Sequence, residues 1–314
     1  MTANKHEDKN AVKLNHVKKT YDQEVVVKDL SLAVDVGEFF VLVGASGSGK
    51  TTTLKMINRL VQPESGQVFV QGTDIAQQPL NDLRHRIGYV LQSSALFPNM
   101  TVFENAAVTL NAVGVSNKQA QQRIETLLTE VGLDPERYLN RYPDALSGGE
   151  RQRVGIVRAL AAEPDLILMD EPFSALDPIS RKQLQTLISE IHQRYQTTII
   201  FVTHDMNEAL RLGDRIAVMH AGELLQVGRP EQIVQHPAND EVRALFEGQT
   251  NAATIADLVA QGYYQVEQQG EYQTLELDAS LSTLAQMLVT DSAVLVDRQY
   301  LITVDDYLRY MAQN

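Results

Sequence analysis

The stretch FFVLVGASGSGKTT, residues 39–52, decides the fold. Phe39 to Val43 is a continuous apolar run, the composition of a strand buried on both faces. It ends in a glycine-rich turn, and Leu54, Met56, Ile57 and Leu60 then recur at helical spacing. Strand, glycine loop and helix in that order frame Gly44-x-x-x-x-Gly49-Lys50-Thr51, the Walker A pattern. Gly44, Gly47 and Gly49, with Ser46 and Ser48 between them, let backbone N–H groups turn inward around a β-phosphate. The helix start at Thr51 and Thr52 adds a dipole that favours the anion. Lys50 has the reach for β- and γ-phosphates, and the Thr51 hydroxyl is a ligand for Mg²⁺.

Downstream, Leu166-Ile167-Leu168-Met169-Asp170-Glu171 repeats the buried-strand composition and closes it with two carboxylates, the Walker B form. Asp170 fits the shell of a Mg²⁺ ion. Glu171, one residue on, fits a general base that polarises an attacking water. Thr197 to His204 is a further apolar strand, with a helix from about Ser180 to Tyr195 before it. Upstream, Lys13 to Val43 reads as β around the β-branched run Val25-Val26-Val27. About Thr101 to Ala162 reads as helical. Ile124, Leu127, Leu128 and Val131 form one apolar stripe there, and Ser116-Asn117-Lys118-Gln119 has the form of a capping box. Non-alternating strands separated by helices predict an α/β fold: a parallel sheet covered on both faces, with the helical block inserted.

Composition narrows the function. At 314 residues the chain is about twice the usual ~150 per domain, so two domains are expected. Lys and Arg number 27 against 40 Asp and Glu, a net −13 that argues against nucleic acid as a partner. The run Arg151-Gln152-Arg153 is therefore read as a solvated face. With no cysteine, disulfides, zinc–thiolate sites and a Cys nucleophile are excluded. The polar start MTANKHEDKN predicts no leader segment, and no apolar run approaches the ~18 residues of a membrane span. Work at a membrane would require docking on another protein. Beyond Gly248 the composition shifts: residues 251–314 hold nine acidic residues against Arg298 and Arg309, more than half the net charge. That shift puts a domain boundary near 245–250.

Leu146-Ser147-Gly148-Gly149-Glu150 is a second glycine-rich helix start, with anion-binding N–H groups that a single nucleotide site does not need. LSGGE between the two Walker patterns, with His204 after the next strand, resembles the ATP-binding subunits of ABC transporters. The resemblance implies a P-loop nucleotide-binding domain over residues 1–248, a RecA-like core with an inserted helical subdomain at about 93–160. It implies ATP and Mg²⁺ as ligands and gives roles to residues outside the Walker patterns. Tyr21 stands where the family stacks an aromatic on adenine. Gln92 matches the glutamine that meets Mg²⁺ or the attacking water and senses the transport partner. Ser174-Ala175-Leu176-Asp177 matches the D-loop, with Asp177 carried over as a nucleotide contact, and His204 matches the histidine at the γ-phosphate. The family works as a head-to-tail homodimer. Each ATP lies between one subunit's Walker A loop and the other's Ser147-Gly148-Gly149, and hydrolysis opens the pair to drive a coupled permease.

Longer stretches narrow the resemblance. HRIGYVLQSSALFPNMTVFENAA (85–107), RYPDALSGGERQRVGIVRALA (141–161) and THDMNEALRLGDRIAVM (203–219) look like importer ATPases for quaternary amines such as glycine betaine, carnitine and choline. That implies integral-membrane permease subunits, an extracytoplasmic solute-binding protein and a peripheral place on the cytoplasmic face of the cell membrane. An importer of amino acids or polyamines is the alternative. A soluble ABC ATPase of DNA repair or translation is disfavoured, because the chain has neither coiled-coil heptads nor a second Walker A. LELDASLSTLAQMLVTDSAVLVDRQYLITVDDYLRYM (275–311) resembles one CBS unit, which makes 249–314 a small α+β module. Its Thr303-Val304-Asp305-Asp306 matches the Thr-x-x-Asp element that contacts ribose in nucleotide-binding examples, while Tyr300 replaces the glycine expected before the strand.

Overall fold

The computed structural model describes residues 10–246, 255–266, 270, 272–277, 279, 281–297 and 299–313. The chain divides into two compact units, Met1–Leu245 and Phe246–Asn314. The boundary expected at 248/249 falls within 247–254, outside the described residues.

The first unit is built on a six-stranded sheet. Its order is Glu223–Gly228, Arg215–His220, Phe39–Val43, Thr198–Thr203, Leu166–Asp170 and Ile87–Val90. All neighbours are parallel except the edge strand Glu223–Gly228. Every residue of Phe39–Val43, Leu166–Asp170 and Thr198–Thr203 is buried, which is why these strands are apolar runs, polar only at Asp170, Thr198 and Thr203 on their ends, rather than alternating. Register pairs Val43 with Thr203 and Asp170 with Val202, so three strands finish at one edge of the sheet. The carboxyl edge of a parallel sheet is where such folds bind ligands.

The N-terminal strands do not join this sheet. Asn10–Tyr21, Glu24–Asp35, Ser65–Val70 and Thr73–Asp74 form a separate antiparallel one. Asp22 and Gln23, at φ 46° and 73°, make the tight turn that folds the first pair back on itself. The single sheet expected from sequence is therefore two, because a two-residue turn gives a hairpin whereas a parallel neighbour needs a long crossover.

The inserted helices are Val102–Ala112, Asn117–Glu130, Pro135–Tyr138 and Gly148–Leu160. The stripe Ile124, Leu127, Leu128 and Val131 is buried, as its spacing requires. The capping box expected at Ser116 does not form. The Ser116 hydroxyl donates to Gln119 Oε1 at 2.7 Å and caps no backbone N–H. A true box sits instead at Thr101–Glu104. The helix expected from Ser180 starts at Pro178, because Asp177 caps it and proline suits the first helical position.

The second unit holds a four-stranded sheet ordered Gln265–Val266, Tyr300–Thr303, Ala293–Val296, Gln273–Leu275. Leu284 and Leu288 of the helix Leu281–Thr290 and Tyr310 of the helix Val304–Gln313 pack in one cluster with Val294, Val296 and Ile302. Strand, helix, two strands, helix is the order over 273–313.

Candidate functional site

The glycine loop works by close backbone approach. Gly44 has φ +153°, and a Cβ there would lie 2.0 Å from the Met219 carbonyl oxygen. Gly49, the left-handed N-cap of the helix Lys50–Ile57, would meet the Val26 carbonyl at 2.6 Å. No side chain fits at either position. Lys50 is 4% exposed, and its amine donates to Gly44 O at 2.7 Å, Ala45 O at 2.8 Å and Ser48 Oγ at 3.3 Å. Burial pushes its pKa down, and the charges of Glu171 and Asp170 push it back up. The lysine, the loop and both Walker B carboxylates thus share one electrostatic neighbourhood, although 119 residues separate Thr51 from Asp170.

Thr51 Oγ1 donates to Asp170 Oδ1 at 2.8 Å, and Asp170 is 7% exposed. These are adjacent hard oxygens of the kind Mg²⁺ accepts. Among the described residues no group of three or more His, Cys, Asp or Glu side chains could hold a metal. The adjacent Thr51 and Asp170 oxygens suit an ion bound by one or two protein oxygens with phosphate completing its shell. Gln92 is exposed, two residues beyond the strand Ile87–Val90, and no hydrogen bond among the described residues joins it to the Thr51–Asp170 pair.

Glu171 lies at φ 45°, the left-handed region that a non-glycine residue adopts only when its surroundings impose it. Its amide donates to Val202 O at 3.0 Å, which ties the turn to the next strand. His204 Nδ1 is 3.1 Å from Glu171 Oε2, so the two residues assigned to water activation and γ-phosphate contact meet in the fold. Asp177 accepts from the amides of Ile179 and Ser180 and caps its helix. Those bonds hold its carboxyl below the usual range, the Ser180 contacts first.

Ser147 caps the helix Gly148–Leu160 in a full capping box with Glu150. Ser147 and Gly148 are exposed, with open space around the Gly148 Cα, and no hydrogen bond among the described residues joins this start to the glycine loop of the same chain. Tyr21 is 42% exposed at the end of its strand, with Lys19 Nζ 5.1 Å from its ring centroid.

The run Arg151-Gln152-Arg153 is not the solvated face that net charge suggested. Arg151 donates to the Leu146 carbonyl, and Arg153 to Val131 O at 2.6 Å. Gln152, 3% exposed, donates to Leu91 O at 3.3 Å. Arg158, one and a half turns on, donates to Ala95 O at 2.8 Å and Ser94 O at 2.9 Å. These polar groups are spent largely on backbone carbonyls, and Gln152 and Arg158 hold the segment around Gln92 from its two sides, at Leu91 and at Ser94–Ala95. A groove of about 620 Å³ opens beside that segment, lined by Leu60, Tyr89, Leu91, Phe97 and Arg158 among others. Tyr89, whose hydroxyl lies 3.5 Å from Asp170 Oδ2, was not legible from motif spacing.

In the second unit, Thr303 and Asp306 close on one another. The Thr303 hydroxyl donates to Asp306 Oδ2 at 2.6 Å, and the Asp306 amide donates back at 3.3 Å. The element acts as a helix cap in this fold.

Comparison with known proteins gives a consistent picture. The model of the ABC transporter family matches residues 27–174. The glycine betaine/carnitine/choline transport ATP-binding protein OpuCA of Bacillus subtilis (strain 168) is 43% identical over 92% of this chain and 76% of its own length. The glycine betaine/proline betaine transport system ATP-binding protein ProV of Escherichia coli (strain K12) is 48% identical over 71% of this chain. The match spans 56% of ProV's own length. Among solved structures, the dimeric post-hydrolysis state of the ATP-binding cassette MJ0796 bound to ADP and Pi matches with a TM-score of 0.64 and 33% identity. It covers 70% of this chain and 98% of that one.

Proposed function

Because the chain belongs to the ABC transporter family as one of its ATP-hydrolysing subunits, we propose that it powers import of quaternary-amine osmoprotectants of the glycine betaine, carnitine and choline class through a separate permease. One observation carries the substrate class. The 43% identity to the glycine betaine/carnitine/choline protein runs over 92% of the chain, past the cassette and into the second unit.

The site residues are given the roles the family resemblance implies, and the contacts among Lys50, Thr51, Asp170, Glu171 and His204 support that reading. The glycine loop and Lys50 receive the β- and γ-phosphates of ATP, Lys50 exchanging carbonyl partners for phosphate oxygens. Tyr21 offers an exposed ring to adenine. Thr51, Asp170 and Gln92 would hold Mg²⁺, which when bound neutralises charge developing on the phosphate oxygens. Glu171 accepts the proton of the attacking water on its carboxylate, and His204 fixes that carboxylate from 3.1 Å while facing the γ-phosphate. The helix start at Ser147, Gly148 and Gly149, exposed at its first two residues, together with Asp177, completes the site on a second copy of the chain. A homodimer therefore holds two ATP molecules, each shared between chains.

The permease takes the groove beside Gln92, where Phe97 is 44% exposed and Arg158 clamps the Ser94–Ala95 carbonyls. Among the described residues no helix is long and apolar enough to cross a membrane. In this reading, docking on the permease holds the subunit at the cytoplasmic membrane face. A solute-binding protein delivers the substrate from outside, and the second unit serves as a single CBS-like module. The test is uptake into ATP-loaded proteoliposomes carrying the cognate permease and binding protein. Labelled glycine betaine, carnitine or choline should accumulate, and a Glu171→Gln subunit should abolish it. Accumulation of only an amino acid or a polyamine would overturn the substrate class.

A further inference from the structure

We propose that Glu208 is a positioning residue for His204, holding the turn that carries the histidine against the helix that begins at Asp177. This rests on the hydrolytic role of His204 above.

His204 is exposed, and its ring is held through Glu171. The ring can be placed accurately only if the backbone on either side of it is fixed. Thr203 and Asp205 flank it. The Thr203 hydroxyl is buried and bonded both ways: it accepts from the Asp205 amide at 3.0 Å and donates to Glu208 Oε2 at 2.6 Å. Asp205 in turn caps the helix Met206–Leu212, accepting from the Asn207 amide at 2.9 Å and the Glu208 amide at 3.4 Å. One side chain thus gathers both neighbours of His204 into a closed loop of hydrogen bonds.

The other carboxylate oxygen of Glu208 looks away from the histidine. Glu208 Oε1 accepts from Gln185 Nε2 at 3.3 Å, and Gln185 Oε1 accepts from Arg211 at 3.3 Å. Gln185 is 8% exposed and sits on the helix Pro178–Tyr195, the helix Asp177 caps. Arg181 of the same helix reaches Asp205 Oδ2 at 3.8 Å. Glu208 itself is 6% exposed, and burial pushes its carboxyl above the usual range. An acid at such a position costs stability that an apolar side chain of similar volume would not. Its bonds explain the placement: a bridge between the turn at the γ-phosphate and the element at the partner-facing loop.

The experiment compares Thr203→Val, Glu208→Ala and Glu208→Gln in the full chain. ATP turnover is read as kcat and KM, and the His204 ring resonances are followed by NMR after assignment with His204→Ala. A positioning role predicts that Thr203→Val and Glu208→Ala each lower kcat on the order of tenfold, with KM for ATP changed less than about twofold. The His204 resonances should shift while those of the other six histidines stay in place. Glu208→Gln keeps an acceptor for Thr203 and should recover more than about half of kcat. If Glu208→Ala does not fold, the near-isosteric Thr203→Val carries the test. Wild-type kcat in Thr203→Val, or an unmoved His204 signal, overturns the proposal.

Discussion

Lys50 shows how much of the chemistry is prepared before any nucleotide arrives. Its buried amine has three oxygen partners within the loop, which satisfy the charge locally. Charge-assisted bonds to phosphate replace them on binding. Lys50→Ala should weaken ATP binding by about tenfold or more, given roughly 1.5–3 kcal/mol for a charged hydrogen bond. The loop should survive, because its shape is set by Gly44 and Gly49 pressed against the Met219 and Val26 carbonyls. Titration calorimetry reads the first effect and thermal melting the second; wild-type affinity in Lys50→Ala would contradict the role. At this scale the sequence was informative where chemistry is local. Gly44 to Thr51 is contiguous and legible. Glu208, Gln152 and Arg158 were not, because their partners lie 5, 61 and 63–64 residues away and nothing in one sequence says which carbonyl or hydroxyl a polar side chain will find.

Among the elements, the helix Gly148–Leu160 does two jobs. Its exposed start carries Ser147 and Gly148, while Gln152 and Arg158 on its body hold the segment around Gln92, at Leu91 and at Ser94–Ala95. The helix therefore links the start assigned to phosphate to the groove assigned to the permease. Ser147→Ala removes a cap worth about 1 kcal/mol and an anion contact presented to the second chain. Binding of ATP to the isolated subunit should hold within about twofold, while hydrolysis should fall at least tenfold if Ser147 meets the partner's phosphate. Equal losses in both would place Ser147 in its own chain's site instead. The helix itself was readable from LSGGE and its stripe. The antiparallel sheet of Asn10–Asp35 and Ser65–Asp74 was not, since apolar strands do not reveal which sheet they join. The Ser116 box failed for a similar reason: its hydroxyl had a side-chain acceptor closer to hand than the backbone.

For the whole molecule, the division at 245/246 separates a nucleotide machine from a small module rich in acid. Residues 251–314 carry nine acidic residues against two basic ones. A contact made or opposed by that charge weakens as the Debye length falls from ~10 Å at 0.1 M salt to ~3 Å at 1 M. We propose that the module adjusts transport to internal ionic strength, with a module that only pairs across the dimer as the alternative. Removing residues 247–314 should leave ATP turnover of the cassette within about threefold and abolish salt activation of uptake. Unchanged salt activation in the truncated transporter would reduce the module to an assembly element.

In the proposed mechanism one ATP is held by two chains, and Glu171 ends that state by hydrolysis. Its most direct measurement is the mass in solution of Glu171→Gln with and without ATP, by sedimentation or light scattering. The variant should be monomeric without nucleotide and a stable dimer of about 70 kDa with ATP, twice the 35.0 kDa chain. An ATP-saturated Glu171→Gln that remains at the monomer mass would contradict the account.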